Sequence, residues 1–486
     1  MNDFTLTTTL FLTAHWLIVI GLSIRVIMRR RPVGVSLAWL TVIFSVPFAG
    51  AIFYFFIGES RIGEEYLARA ARIHDLYRNW QIALKKRASR EKPPAGPIAM
   101  RAIQLHAEKL AGFPSMRGNK VHLMDHFETV FTSIIEDVEH AKSTCHLEFY
   151  IWTVGGKADE VAEALIRAVK RGVICRVLVD AVGSKDFVRS KLAQHLRDSG
   201  IHVVESLPVG PLRMLMTRAD LRNHRKIIVI DGEIAYTGSQ NLVDPRFFKQ
   251  DEGVGQWIDA MIRMEGPSVE ALAGTFIEDW ELNTGEGLKA LEETSDIRSI
   301  PEKGTTPVQV VPSGPAIRPE VIHQLLLTTI YSAQKKLVLT TPYFVPDESL
   351  ITALISAAHR QVDVIIVVPA EVDSRLVHYA SRSLFDNLMS AGVTIAAFKG
   401  GLLHTKSITV DDGISVFGTV NLDMRSLWLN FEVSLFIYDL ELTKQVRDMQ
   451  MKYIHNASIL NLTEWRKRSV FQRFTENAAQ LVGPLL

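Results

Sequence analysis

The residues of this chain best suited to chemistry occur twice, at the same spacing. His224-Arg225-Lys226 is followed by Asp231, and His404-Thr405-Lys406 by Asp411. In each copy the lysine lies two residues after the histidine and the aspartate seven. Ser239 and Asn241 fall fifteen and seventeen residues after His224, and Thr419 and Asn421 fall at the same offsets after His404. A lone His-x-Lys is uninformative, because both residues are common on surfaces. Five matched positions repeated 180 residues apart are not a coincidence of composition.

Each copy supplies an imidazole, an ammonium, a hydroxyl and an amide. That set suits a phosphoryl group, with lysine supplying charge and Asn and Ser/Thr donating hydrogen bonds. Two copies supply two histidines. One neutral imidazole can attack phosphorus while the other, protonated, gives a proton to the leaving alkoxide. The repeat itself leaves open which of His224 and His404 is the nucleophile and which the general acid, then base. Lys226, Lys406, Asn241 and Asn421 are expected to hold the phosphate, assisted by Ser239 and Thr419. Paired lysines offset charge on the phosphate oxygens, so the scheme needs no metal or cofactor. No H-E-x-x-H, paired C-x-x-C or P-loop appears, so neither zinc nor nucleotide is implied.

The elements that must position these groups are legible around them. Residues 224–231 read as a strand entering an Asp231-Gly232 hairpin turn, and 233–236 as its return; 404–410, Asp411-Asp412-Gly413 and 414–417 repeat the pattern. Residues two apart on a strand share a face, which would set each histidine beside its lysine. The aspartates end their strands and are expected to fix turn and lysine geometry.

Upstream of each motif lies a strand–helix–strand pattern. Residues 145–152, 158–170 and 173–179 form the first, and 336–344, 349–359 and 362–368 the second. Helical stretches at 192–199 and 384–391 correspond, each followed by glycine, Gly200 and Gly392. The fold class is therefore α/β, a pseudo-duplicated sandwich of two mixed-sheet halves with the site at their seam. We expect the halves at 117–284 and 317–462, joined by a polar connection at 285–316. The first half carries about a dozen extra residues within 207–222, just before His224. They are either a lipid-facing lip with Arg213 and Arg218 on headgroups, or a loop packed on the domain.

The ends have a different character. Apolar residues make up 47% of the 486 and the mean hydropathy is +0.12, high for a fully soluble chain. Two runs, 4–24 and 33–57, account for the excess, and each is long enough for a bilayer, which needs about 20 residues. Residues 1–58 are thus expected to form two transmembrane or re-entrant segments, with Pro47 and Gly50 allowing the latter. The block Arg29-Arg30-Arg31 between them would, by the positive-inside rule, place both ends outside the cytoplasm, but Arg61, Arg69, Arg72 and Arg78 blur the contrast and leave the side open. Residues 59–116 read as an amphipathic surface helix, whose Lys85-Lys86-Arg87 end either meets headgroups or is simply solvated, and a linker. Residues 463–486 read as an amphipathic tail, either interfacial or docked on the body. The 54 Lys+Arg against 53 Asp+Glu give no basic excess for a nucleic-acid partner. A homo-oligomer is compatible with a membrane protein, though no residue argues for one.

The two H-x-K-x4-D motifs, with Gln256-Trp-Ile-Asp259, Thr341-Pro-Tyr-Phe344 and residues 421–432, resemble the phospholipase D superfamily and, within it, the bacterial cardiolipin synthases. The resemblance runs from the first apolar run to the C-terminus. It implies a multi-pass protein of the bacterial inner membrane that takes phosphatidylglycerol and other anionic phospholipids. The implied reaction condenses two phosphatidylglycerols into cardiolipin and glycerol through a phosphohistidine, and family precedent makes His224 the nucleophile and His404 the general acid, then base. It also implies that Glu432, about eleven residues after Asn421, supports a catalytic histidine. The first-half counterpart is either Glu252, by counting, or Asp259, after Trp257. A hydrolase, a transferase to another alcohol, or a membrane-anchored nuclease would use the same residues.

Overall fold

The computed structural model describes residues 2–29, 33–46, 48–58, 64–88, 98–208, 210, 218, 220–287, 291, 293–294, 296–315 and 320–481. The chain divides into two compact units, 1–67 with 209–221, and 68–208 with 222–486.

In the first unit, helix Asn2–Met28 contains a stretch, Thr7–Met28, of 22 residues at mean hydropathy 2.0, long enough to cross a membrane. The second apolar run is not one helix. It forms Val33–Ser45 and Ala49–Ile57, 13 and 9 residues, or about 20 and 14 Å at 1.5 Å per residue. Neither reaches across a hydrocarbon core of about 30 Å. Between them Phe48 adopts φ 57°, which reverses the chain. Ring contacts of Phe11 with Phe48 (4.5 Å) and Trp16 with Phe44 (6.4 Å) lay Val33–Ser45 back along the first helix. Trp39 against Tyr54 (5.3 Å) folds the third helix back on the second. Gly50 permits this, since a Cβ there would meet the Val42 carbonyl oxygen at 2.4 Å. Of the two expected segments, one has spanning length and the other is a folded-back pair of shorter helices.

The second unit holds both motif-bearing halves. In the first, strands Thr144–Phe149, Ile174–Asp180 and His202–Ser206 are parallel, with Thr144 opposite Ile174. Ile227–Ile230 and Ile234–Gly238 extend the sheet antiparallel, followed by Met261–Glu265 and Met116–Met124. The second half repeats this with Lys336–Thr340, Asp363–Pro369 and Thr394–Phe398 parallel, then Ser407–Val410, Ile414–Gly418 and Asn430–Ile437 antiparallel. Helices Lys157–Lys170 and Glu348–His359 make the parallel crossovers. Their buried faces (Val161, Leu165 and Ala168; Leu350, Leu354 and Ala357) close a separate apolar core in each half.

Two sequence expectations change here, and a third falls mostly outside the described residues. The connection expected at 285–316 contains strand Thr306–Ser313, which pairs with Asn430–Ile437 and with Met116–Met124 and joins the two sheets into one ladder. Pro307 and Pro312 make it read as linker. The ladder tolerates them because pairing with Met116–Met124 is interrupted by a register shift. Helix Glu64–Ala88 is not a free surface helix: Trp80 Nε1 and Arg87 Nη2 bond Glu270 at 2.7 and 2.5 Å, and Lys85 pairs with Glu108 at 3.4 Å. Its basic end therefore serves the body rather than headgroups. The insertion at 207–222 lies mostly outside the described residues, Arg213 included, while Arg218 is paired with Asp220.

Candidate active site

Each motif histidine enters the site on a two-residue strand that pairs, in parallel, with a strand of the other half. Arg222–Asn223 runs beside Asn430 and Phe431, and Leu402–Leu403 beside Trp257–Ile258. The same backbone bond closes both crossings: His224 N–H donates to the Phe431 carbonyl at 2.9 Å, and His404 N–H to the Ile258 carbonyl at 2.8 Å. The next residue along each partner strand is a carboxylate. The result is reciprocal. His224 Nδ1 meets Glu432 Oε2 at 2.9 Å, and His404 Nδ1 meets Asp259 Oδ1 at 2.6 Å. The first-half carboxylate is thus Asp259. Glu252 lies in the exposed segment Gln250–Glu252 and pairs with Lys249.

With Nδ1 held as donor to a carboxylate, Nε2 of each neutral imidazole keeps a lone pair for chemistry. Burial pulls both imidazoles down to about 4 against the raising effect of their carboxylates, and Lys226 and Lys406 add to the lowering. Both histidines are therefore neutral at pH 7 before a phosphodiester binds. Burial also pulls Lys226 to about 8 and Lys406 to about 7, although Glu432 and Asp259 oppose it. Burial pushes the Asp259 carboxyl up, but His404 and Lys406 outweigh it and hold it below the ordinary carboxylate range. Each lysine acts electrostatically on the other half's histidine, so the fold has brought the two motifs into one site.

The lysines and the strand placement need a correction. His224 and Lys226 precede strand Ile227–Ile230 rather than lie on it, as His404 and Lys406 precede Ser407–Val410. Each ammonium folds back to donate to its own histidine's carbonyl, Lys226 at 2.8 Å and Lys406 at 2.6 Å.

Asp231 and Asp411 lie at the other end of those strands. Asp231 accepts from the N–H groups of Lys142, Ser143 and Thr144 at 2.7–3.1 Å, and Asp411 from those of Gln334, Lys335 and Lys336 at 2.7–3.3 Å. Both have positive φ, 52° and 48°, which aspartate accepts more readily than most residues. They pin the hairpin turn to the start of the neighbouring parallel strand and touch neither substrate position nor lysine.

Ser239 and Thr419 also serve differently from expectation. Ser239 Oγ accepts from Ala260 N–H at 3.1 Å and donates to the Ala260 carbonyl at 3.3 Å. Thr419 Oγ1 donates to Glu432 Oε2 at 2.5 Å and accepts from Val433 N–H at 2.9 Å. Ser239 thus ties down the backbone next to Asp259, and Thr419 braces the Glu432 carboxylate directly. Glu432 likewise acts through His224 rather than on substrate. Asn241 accepts from Ile151 N–H at 3.2 Å, and its amide nitrogen is buried without a partner among the described residues, a donor left for a ligand oxygen. In its counterpart Asn421 the amide oxygen is the buried atom without such a partner, and burial pushes the nearby Asp423 carboxyl up to about 6.

Several residues of the site carry no sequence signal of their own. Tyr150 meets His224 edge-on at 5.0 Å and lies 5.5 Å from the Lys226 ammonium, while Trp257 covers His404 at 4.5 Å. Tyr343 donates to Asp373 at 2.8 Å, and Lys249 reaches the same carboxylate at 3.3 Å, a bridge between the halves. Trp257 and Tyr343 fall inside the quoted sequence stretches, but nothing in spacing assigns them to the histidines.

Two α/β halves that exchange carboxylates around paired H-x-K motifs define a phospholipase D-like enzyme. Residues 134–280 and 326–452 match the family described as "Cardiolipin synthase, PLD-like domain", and 17–59 match "Phospholipase_D-nuclease N-terminal". The chain is 44% identical over 486 residues to cardiolipin synthase A of Pectobacterium carotovorum subsp. carotovorum, with 99% of both covered. It is 43% identical over 483 residues to cardiolipin synthase A of Yersinia pseudotuberculosis, again with 99% of both covered. Phosphatidylserine synthase of Haemophilus influenzae shares the fold at TM-score 0.59 and 16% identity, over 79% of this chain and 100% of that one. The chain belongs to the bacterial cardiolipin synthase family of the phospholipase D superfamily, and it is a membrane-associated enzyme of phospholipid modification.

Proposed function

We propose that this enzyme condenses two phosphatidylglycerols into cardiolipin and glycerol by a ping-pong route. The observation that carries the reading is the reciprocal pair His224–Glu432 and His404–Asp259, which leaves two Nε2 atoms and two ammonium groups for one phosphodiester. His224 Nε2 attacks phosphorus, the bond from phosphorus to the glycerol oxygen breaks, and the alkoxide takes a proton from His404 Nε2. Glycerol leaves. The glycerol hydroxyl of a second phosphatidylglycerol then loses its proton to His404 and attacks phosphorus, freeing His224.

The incoming phosphodiester anion raises the pKa of a buried imidazole and so lets it carry the proton. His404 suits the acid role because Asp259, held in its ionised form at 2.6 Å, stabilises the imidazolium. Lys226, Lys406 and the Asn241 amide would hold the phosphate oxygens. Incubation of purified protein with phosphatidylglycerol, without added metal, tests the reading. Cardiolipin with equimolar glycerol is expected; phosphatidic acid alone would make the enzyme a hydrolase, and cleavage of a nucleic acid instead would make it a nuclease.

We further propose that Thr7–Met28 spans the bacterial inner membrane and that the folded-back pair re-enters it, so the multi-pass expectation narrows to one crossing. Tyr54 packs with Leu22, Val26 and Trp39, so the chain leaves the hairpin at Gly58 toward the Arg25 and Arg29 end. The positive-inside rule makes that end cytoplasmic. A cysteine at Met28, exposed at that same end, should resist membrane-impermeant maleimide in intact spheroplasts and react after lysis. Labelling before lysis reverses the orientation.

A further inference from the structure

We propose that the C-terminal helix Val470–Leu481 is a fixed membrane-contact surface that seats the body on an anionic bilayer beside the active site. This rests on the phosphatidyl-transfer reading above for its choice of occupant.

The helix has two unlike faces. One is locked to the body. Glu476 is buried, accepts from Arg382 Nε at 2.8 Å and pairs with Arg468. Ala479 packs against Val345, Val377 and Ala380. Trp465, in the preceding helix Leu462–Arg466, lies between two guanidinium groups, Arg382 at 4.4 Å and Arg468 at 3.8 Å. The expected tail is therefore held rigidly through residue 481.

The other face is apolar and open. Val470 is 73% exposed, Phe471 78%, Phe474 67% and Leu481 83%. Spacings of three, four and seven residues align them in one stripe. Four large apolar side chains on a well-docked helix are not left in water by poor packing, since the same helix buries Ala479 and Glu476.

Charge and position select the occupant. Residues 462–481 hold four basic side chains (Arg466, Lys467, Arg468, Arg473) against two acidic ones, Glu464 and Glu476. Arg466, Lys467 and Arg473 are exposed, the first two while paired with Asp386 at 3.0 Å and Glu464 at 2.6 Å. An exposed apolar stripe flanked by arginine and lysine is the pattern of a helix lying in an anionic lipid interface. The helix it docks on, Arg375–Ser390, begins two residues after Asp373, the partner of Tyr343 and Lys249 at the site. Its first turns expose Leu376 and Tyr379 as well. The apolar surface thus continues toward the catalytic seam, where a lipid headgroup must arrive.

The experiment uses the full chain reconstituted in phosphatidylglycerol-containing vesicles. Phe471→Ser/Phe474→Ser removes exposed rings and leaves the docked face intact. Turnover on vesicles is expected to fall about tenfold, with turnover on short-chain monomeric phosphatidylglycerol unchanged. In parallel, a fluorophore on Phe471→Cys should be quenched by spin-labelled lipid and shielded from aqueous iodide. Wild-type vesicle turnover by the double variant, together with iodide access to the label, overturns the proposal. A label shielded from both quenchers, in a species of doubled mass, also overturns it and assigns the face to a second copy. If the unsubstituted enzyme transfers phosphatidyl groups on neither substrate, the functional reading fails instead, and the label still reports on the helix.

Discussion

The two half-sites share one geometry and differ in what stands behind it. Around His224 the carboxylate is Glu432, which also accepts from Thr419 and, at 3.3 Å, from Asn430. Around His404 it is Asp259, closer to its imidazole and with one oxygen unbonded within the protein. Beside His224 sits Arg225, fully buried, paired with Asp279 and donating to the Glu432 and Ser313 carbonyls at 3.0 and 3.2 Å. Two more carboxyls, Glu148 and Asp279, are buried beside it, and burial pushes both up. The matching position beside His404 is the neutral Thr405, bonded to the Ile258 carbonyl and Tyr453. Repetition kept the reacting groups, and divergence went into their supports. A displacement that needs one neutral and one protonated imidazole gains from such a difference, because equal surroundings would give the two rings equal proton affinity.

The sharpest way to break the comparison is to remove each histidine. His224→Ala and His404→Ala should each lower steady-state turnover by about 10³-fold or more. Their single-turnover behaviour should differ. With a phosphatidyl substrate bearing a good leaving group, His404→Ala should accumulate a phosphatidyl-enzyme that mass spectrometry places on His224, and His224→Ala should not. Trapping on His404 in the His224 variant would invert the assignment while preserving the site.

Substituting the carboxylates sharpens it further. Glu432→Gln and Asp259→Asn each cost the imidazole its charged support, an effect of about 10²-fold or more. Because His404 matters most where the leaving alkoxide needs a proton, a good leaving group should restore much of the activity of Asp259→Asn. It should restore little to Glu432→Gln. Equal rescue of both would mean that the carboxylates do not divide the labour of the histidines.

How much of this was legible depended on whether a residue acts through repetition or through a crossing of the chain. His224, Lys226, His404 and Lys406 are found by their offsets, and the strand–helix–strand units by their apolar runs. The exchange of carboxylates is invisible locally, because Asp259 and His404 are 145 residues apart and meet only through the parallel pairing of Trp257–Ile258 with Leu402–Leu403. For the same reason Ser239 and Thr419 read as phosphate donors. Only the fold shows that Ala260, or Val433 and Glu432, take their hydroxyls. The second apolar run left crossing and re-entry both open, since hydropathy is unaffected by the reversal at Phe48.

The lysines give a smaller, pH-dependent effect. Both are charged below their lowered pKa values, about 7 for Lys406 and about 8 for Lys226, and lose charge as pH rises through them. Affinity for an anionic headgroup, read as kcat/KM, should therefore fall between pH 7 and 8 by up to about tenfold per unit. His224, at about 4, stays neutral and adds no loss between pH 5 and 7. Lys406→Arg keeps its charge at all these pH values. It should move the alkaline fall upward even where altered geometry lowers the plateau, so the position of the limb is the readout. A wild-type profile flat to pH 9 would count against buried, easily neutralised ammonium groups.

The smallest effects on chemistry should come from the aspartates of the motif itself, where the halves ought to behave alike. Asp231→Ala and Asp411→Ala each leave three backbone N–H groups without their acceptor and put alanine at a φ near 50°. These amides are at least partly open to solvent, which limits the loss to about 1–3 kcal/mol of stability per site. Activity at 25 °C should change by no more than a few-fold, because the strand between the turn and the histidine stays anchored by its ladder. Asparagine tolerates the backbone and keeps a neutral acceptor, so Asp231→Asn and Asp411→Asn should recover about half of the loss. A 10²-fold drop in turnover at unchanged melting temperature, in either half, would move that aspartate from the turn into the chemistry and end the equivalence of the two turns.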